Sequence, residues 1–297
     1  MVRAWLLLGC LLAVGCTAPV SRRAALELEL QALADTVPGR VGIAAVFGPG
    51  DTLRINDRPD YPMASVYKFH QALALLDSLD RAGLTPELPI EVRRADLHPD
   101  TWSPLREARP AGGYALPVSE LLHYSVAQSD NNVCDLLFRF LGGPEKVDGY
   151  IRSLGLRDTA IGADEATMHR DPATQDANTT SPLDAVRLLE RFRRGDVLSP
   201  ASHEVLLETL LATVTGPDKL RAPLPPAVRL AHKTGSGLRD AAGIVAADND
   251  IGLVLLPDGR SYSVAVFIAD SPADDSRNAA VIAAFSARLY DYFTSRK

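Results

Sequence analysis

The sequence predicts an α+β fold in which strands from both ends of the chain meet in one antiparallel sheet, flanked by N- and C-terminal helices, with an all-helical lobe between them. Three observations carry this reading. Apolar runs of strand length stand near both ends, residues 64–211 read as helices punctuated by Pro and Gly, and amphipathic helices open and close the folded part. In chain order, Ala25, Leu26, Leu28, Leu30 and Leu33 recur at helical spacings over 21–35, with Leu28 broadening the stripe. Residues 41–47 read as a buried strand, Gly48-Pro49-Gly50-Asp51 as its turn and 52–55 as the returning strand. In the helical middle the clearest segments are 65–79, 118–140, 144–154 and 182–193. Beyond Pro226 a largely apolar strand covers 228–232. Strands at 242–247, 252–256 and 262–269 follow, separated by the turn signals Asp248-Asn249-Asp250 and Pro257-Asp258-Gly259. An amphipathic helix over 277–293 closes the chain, and the cleft between sheet and helical lobe is a favoured ligand site.

Composition narrows the function. A hydrophobic fraction of 46% with 23% charged residues is that of a folded globular chain, and the net charge of -6 leaves no basic footprint for nucleic acid. Arg3 followed by an apolar 4–14 reads as an export signal, too short to span a bilayer. Ala13-Val14-Gly15-Cys16 points to a lipid anchor at Cys16, with ordinary cleavage near Ala18 as the alternative; Leu7-Leu8-Gly9-Cys10 resembles the same box behind a much shorter apolar run. The protein is therefore expected to be exported, periplasmic or lipid-anchored to the bacterial envelope, and monomeric. Cys134 falls in an apolar helical run and reads as a buried, inert thiol. The histidines 70, 98, 123, 169, 203 and 232 show no H-x-H or H-E-x-x-H spacing, so neither a metal nor another cofactor is expected.

Three short motifs carry chemistry. In Ser65-Val66-Tyr67-Lys68, at a helix start, residues three apart share a face, so the Lys68 amine can reach the Ser65 hydroxyl beside the positive helix end. Ser129-Asp130-Asn131, between helical segments 118–127 and 133–140, offers a hydroxyl to relay a proton and an amide to hold a carbonyl. On a late strand, Lys233-Thr234-Gly235-Ser236-Gly237 offers a cation and a hydroxyl to a carboxylate, Gly235 leaving room for a ligand against the strand. Each pattern alone is common: a helix cap, a turn, a strand end.

In this order, the three together resemble the motif set of class A serine β-lactamases and penicillin-binding proteins. The resemblance covers nearly the whole chain and implies a five-stranded antiparallel sheet, with 17–60 and 215–297 forming an α/β domain and 61–214 an all-α domain behind a leader at 1–16. It also implies an omega loop at 162–178 and an aromatic wall at Trp102-Ser103-Pro104. Within Asp164-Glu165-Ala166-Thr167-Met168-His169, Glu165 stands as the deacylation residue. Ala166 and His169 replace a common proline and asparagine, and Ala163 and Asn178 replace an arginine and aspartate that usually pair across the loop neck. With Ser129-Asp130-Asn131-Asn132-Val133-Cys134-Asp135 and His232-Lys233-Thr234-Gly235, these departures resemble the divergent branch that includes the PER and CfxA cephalosporinases. The arginine that many relatives carry after K-T-G falls on Ala242, so Lys219 or Arg239 is expected to meet the substrate carboxylate.

The resemblance implies hydrolysis of β-lactam antibiotics, cephalosporins among them, through a Ser65 acyl-enzyme. Lys68, or Glu165 through a water, takes the proton. Backbone N–H groups of Ser65 and Ser236 form the oxyanion hole, Ser129 protonates the leaving nitrogen, and Asn131, Lys233, Thr234, Gly235, Ser236, Trp102, His169 and Lys219 bind substrate. The alternatives are a penicillin-binding D,D-peptidase and a non-hydrolysing β-lactam sensor.

Overall fold

Ser21 accepts a hydrogen bond from the Ala24 N–H and so starts helix α1 (Arg22–Ala34). Leu26, Leu30 and Ala34 are buried while Leu28 is 66% exposed, so the apolar stripe is narrower than its leucines imply. The computed structural model describes residues 21–295; the leader reading, with Cys10, Cys16 and Ala18, lies outside them. None of the described helices is long and apolar enough to cross a membrane.

Strands β1 (Arg40–Gly48) and β2 (Asp51–Ile55) form the first hairpin. Next come the short strand β3 (Tyr61–Pro62), a 3-10 turn at Ala64–Val66 and helix α2 (Tyr67–Arg81). Ser65 therefore lies in the tight turn ahead of the α-helix. A minor hairpin pairs β4 (Pro89–Val92) with β5 (Tyr114–Pro117) around the short helix α3 (Pro104–Ala108). The 118–140 segment divides into α4 (Val118–Leu122), a π-helical turn at His123–Ala127, and α5 (Asn131–Leu141). The break falls at Ser129, whose φ of 60° no helix accommodates, and Asp130 restarts the helix by accepting from the Val133 N–H. Helix α6 (Pro144–Ser153) leads to β6 (Ala160–Ile161), α7 (Glu165–Arg170) and β7 (Asn178–Thr180); β7 pairs with both β3 and β6. Helices α8 (Pro182–Arg193) and α9 (Pro200–Leu211) each begin with a serine cap and a proline.

Strands β8 (Arg229–Ser236), β9 (Val245–Leu255) and β10 (Ser261–Ser271) complete the main sheet, in the antiparallel order β2-β1-β10-β9-β8. Alternate residues serve opposite faces. Val254, Val264, Val266 and Ile268 pack with Leu26 and Leu30 of α1 and with Ile282, Phe285 and Leu289 of α10 (Asp275–Thr294). Ile251, Leu253, Ala265 and Phe267 join the helical core around Phe69, Leu73, Leu188 and Phe192.

One element departs from the sequence reading. Asp248-Asn249-Asp250 is not a turn but the middle of β9, which fuses the two strands expected at 242–247 and 252–256. Three consecutive polar residues are tolerated there because each has a partner. Asp248 pairs with the Lys219 ammonium, Asn249 donates to the Pro62 and Met63 carbonyls, and Asp250 faces His232 and the Leu220 N–H. The chain reverses earlier, where the Asp240 carboxylate accepts from the N–H groups of Ala242 and Ile244 and Gly243 adopts a φ of 80°.

Candidate active site

The turn that carries Ser65 is fastened from two sides. Asn249, buried in the sheet, donates to the carbonyls of Pro62 at 2.8 Å and Met63 at 3.1 Å, while the Met63 N–H donates to the Asn178 carbonyl at 2.8 Å. Ala64 is driven to a φ of 43°, in the left-handed region that non-glycine residues rarely adopt. This strain and that of Ser129 flank one cavity, the kind of place where a fold retains such conformations.

Lys68, one turn beyond Ser65, is wholly buried. Its ammonium donates to the Ser129 carbonyl at 2.9 Å and to Asn131 Oδ1 at 2.6 Å, and forms an ion pair with Glu165 Oε1 at 3.0 Å. The amine is thus shared among the other polar groups of the site, not devoted to the Ser65 hydroxyl. Asp130, the middle residue of the second motif, turns the other way. It accepts from Ser103 Oγ and the N–H groups of Leu105 and Val133, tying α3 to the break before α5. Burial raises its carboxyl above the ordinary value against those donors. The Asn131 N–H donates to the Trp102 carbonyl and the Trp102 indole N–H to the Gln128 carbonyl, which holds an aromatic side chain, 57% exposed, on the rim.

Strand β8 buries Lys233 beside the second motif, where its ammonium donates to Ser129 Oγ at 3.0 Å and to the Thr234 carbonyl at 2.8 Å. Burial, and next the charge of Lys68, pushes the Lys233 ammonium well below its usual range. Gly235 has a different reason from the one its motif suggests. A Cβ there would lie 2.4 Å from the Met63 carbonyl oxygen and 3.1 Å from the Ser65 N, so its bareness admits the nucleophile's own turn, not a ligand.

Glu165 opens helix α7 instead of sitting in an irregular loop. Asp164 caps the helix by accepting from Thr167 N–H, and the Asp135 carboxylate accepts from Glu165 N–H at 2.8 Å and Ala166 N–H at 2.9 Å. Burial, with the nearby Asp164 and Glu165 charges, pushes the Asp135 carboxyl up to about 7 against those two donors. At the loop neck, Asn178 is buried and its amide does the joining. Oδ1 accepts from the N–H groups of Gly162 and Ala163, and Nδ2 donates to the Ala163 carbonyl. A neutral clamp thus stands where the sequence lacks an ion pair.

Ser65, Trp102, Asn131, Glu165, His169 and Ser236 line a common cavity of about 370 Å³. The Gln175 side chain closes its far end by accepting from Leu238 N–H. Neither candidate for the missing arginine lines it. Lys219 is buried on Asp248, with Ser236 Oγ at 3.2 Å in front of it, and Arg239 turns away to Asp275 and the Gly243 and Ala273 carbonyls. Each was chosen for its charge, and in each the charge already has an anion. Sequence reasoning gives no role to Asn249, Asp135 and Tyr67. The first is hidden by the turn-like D-N-D, the second by distance in sequence from the loop it holds. The Tyr67 hydroxyl donates to Glu165 Oε1 at 2.7 Å, a contact that no local pattern signals.

The family model for the Beta-lactamase enzyme family matches residues 25–293. The extended-spectrum β-lactamase PER-1 of Pseudomonas aeruginosa is 40% identical over 270 residues, 90% of this chain and 87% of its own. A β-lactamase of Bacteroides uniformis is 38% identical over 267 residues, 90% of each chain. Among solved structures, the TLA-3 extended-spectrum β-lactamase superposes with a TM-score of 0.89 at 39% identity, over 91% of this chain and 99% of that one. A class A representative from Bacteroides cellulosilyticus gives 0.88 at 36%, over 92% and 98%.

Proposed function

Since this chain belongs to the Beta-lactamase enzyme family, in its class A, and opens the amide of β-lactam antibiotics, we propose a division of that reaction among its own residues. The Ser65 hydroxyl attacks the lactam carbonyl and forms the ester, while its proton leaves by either of two routes, directly to Lys68 or through a water to Glu165, so acylation has two bases and deacylation only Glu165. The N–H groups of Ser65 and Ser236 hold the oxyanion. As the C–N bond breaks, Ser129 gives its proton to the ring nitrogen, the neighbouring Lys233 ammonium at 3.0 Å supports that transfer, and the proton taken from Ser65 returns to Ser129, leaving Glu165 ionised. Glu165 then takes a proton from a second water, which attacks the ester, and passes it to the departing Ser65 oxygen as the ring-opened acid is released.

Asn131 holds the amide of the substrate's side chain against the wall of Trp102 and His169. Lys233 and Thr234, with Ser236, anchor the carboxylate, and Lys219 acts only from behind Ser236 because Asp248 shares its charge. Cephalosporins are within the substrate range, in keeping with the names of the extended-spectrum relatives. We further read the leader as directing export, with a lipid at Cys16 anchoring a monomer to the envelope.

One observation supports this scheme above the others: Glu165 lines the cavity that Ser65 also lines, and its carboxylate meets the buried Lys68 ammonium at 3.0 Å. A chromogenic cephalosporin tests it. Colour should develop through many equivalents with the wild type and not at all with Ser65→Ala. Colour that stops at one equivalent in the wild type would mean a drug-trapping protein instead.

A further inference from the structure

Glu165 Oε1 accepts from the Tyr67 hydroxyl at 2.7 Å and forms an ion pair with the Lys68 ammonium at 3.0 Å. Among the described residues no hydrogen bond reaches Oε2, and Glu165 lines the cavity. The carboxylate is thus gripped by one oxygen and left open at the other. Tyr67 is fully buried, its ring stacked 5.8 Å from that of Phe138 and its hydroxyl 3.4 Å from Cys134 Sγ, so the O–H has a fixed direction. We propose that Tyr67 is a positioning residue for deacylation: its hydroxyl holds the Glu165 carboxylate by Oε1, with Oε2 turned to the hydrolytic water.

The proposal rests on the reading of Glu165 as the deacylation base. The ion pair with Lys68 alone would allow the carboxyl to rotate about that contact, whereas the hydrogen bond from Tyr67 to the same oxygen restrains it. The Tyr67 proton itself stays on the phenol, because burial, with the nearby Cys134 and Glu165, raises that hydroxyl well above its ordinary value. Tyr67 is therefore a permanent donor and not a second base. Lys68 cannot substitute for it, since its other two N–H groups are held by Ser129 and Asn131.

Tyr67→Phe removes one oxygen and keeps the stacked ring, so it isolates the contact. Stopped-flow acylation and quenched-flow decay of the acyl-enzyme, each followed with a cephalosporin, should separate the steps. We expect acylation within about twofold of wild type and deacylation slowed about tenfold. Cys134→Ala, which opens a gap beside the same ring but leaves the Tyr67 to Glu165 bond, measures mere packing. It should lower the melting temperature without changing the ratio of deacylation to acylation. Overturning results are a deacylation rate in Tyr67→Phe equal to wild type, or the same selective slowing of deacylation in Cys134→Ala. If Glu165→Gln accumulates acyl-enzyme while Tyr67→Phe is unchanged, only this proposal falls. If Glu165→Gln turns over normally, the role of Glu165 falls and takes this one with it.

Discussion

Ser65 and Glu165 face the same cavity, yet the two are held in different ways. On the nucleophile side the scaffold is the sheet: Asn249 of β9 grips the carbonyls of Pro62 and Met63, and β8 presses so closely that only glycine fits at 235. On the carboxylate side, among the described residues, no strand of the main sheet hydrogen-bonds to Glu165. A short helix hangs from the Asp135 carboxylate, its loop neck is stitched by the Asn178 amide, and a buried phenol and an ammonium set the acid itself. The first arrangement is stiff because the core supplies it; the second is a set of separable hydrogen bonds. Acylation should therefore be sensitive to changes in the sheet, and deacylation to changes in single polar side chains.

The largest effect should come from Asn249→Ala. It leaves two carbonyls without their donor inside the sheet and lets the Ser65 turn shift, so acylation should fall about a hundredfold, with a stability loss of about 1–3 kcal/mol. Unchanged acylation by stopped flow would break the contrast between the two sides. Asn178→Ala should act on the other half. Deacylation should drop about tenfold while acylation stays within about twofold, because the loop neck loses its clamp and the nucleophile turn keeps the Asn249 hold. Equal slowing of both steps would show that the two regions move as one.

This contrast also explains what could be read from the chain. The strands of the sheet and the helices behind them follow from local apolar periodicity, and Ser65, Lys68, Ser129 and Lys233 stand in short motifs whose members touch across the fold. The support of Glu165 is different in kind. Asp135 and Tyr67 reach it from α5 and α2 through single contacts at large sequence separation, which no local pattern encodes. Asn249 was hidden for the opposite reason. Its neighbours look like a turn, and only the tertiary partners of Asp248, Asn249 and Asp250 make a buried strand of them. Lys219 and Arg239 teach the same lesson, since a free cation and a paired one have the same letter.

A smaller effect concerns pH. In the fold the Asp135 carboxyl is raised from its ordinary 3.8 to about 7, so folding takes up a proton between these values. The stability this gives is fully present below about pH 4 and lost as pH rises through about 7. Melting curves of wild type and Asp135→Asn should therefore converge or cross in the direction of a weaker wild type from pH 5 to 8; a constant difference would contradict the assignment. The smallest effect should be at the buried pair behind Ser236. Lys219→Met with Asp248→Asn removes both charges together, avoiding the cost of leaving one unpaired. KM for cephalosporins should change by less than about threefold. A rise of tenfold or more would restore Lys219 as a direct carboxylate partner.

The most direct measurement is the intact mass of Glu165→Gln after mixing with a cephalosporin. The amide keeps the shape of the side chain and removes its basicity, so the protein should carry the mass of the opened antibiotic for hours, while wild type sampled in the same way after its substrate is consumed returns to its original mass. A Glu165→Gln protein that stays unmodified while hydrolysing many equivalents would contradict the assignment of the hydrolytic water to Glu165.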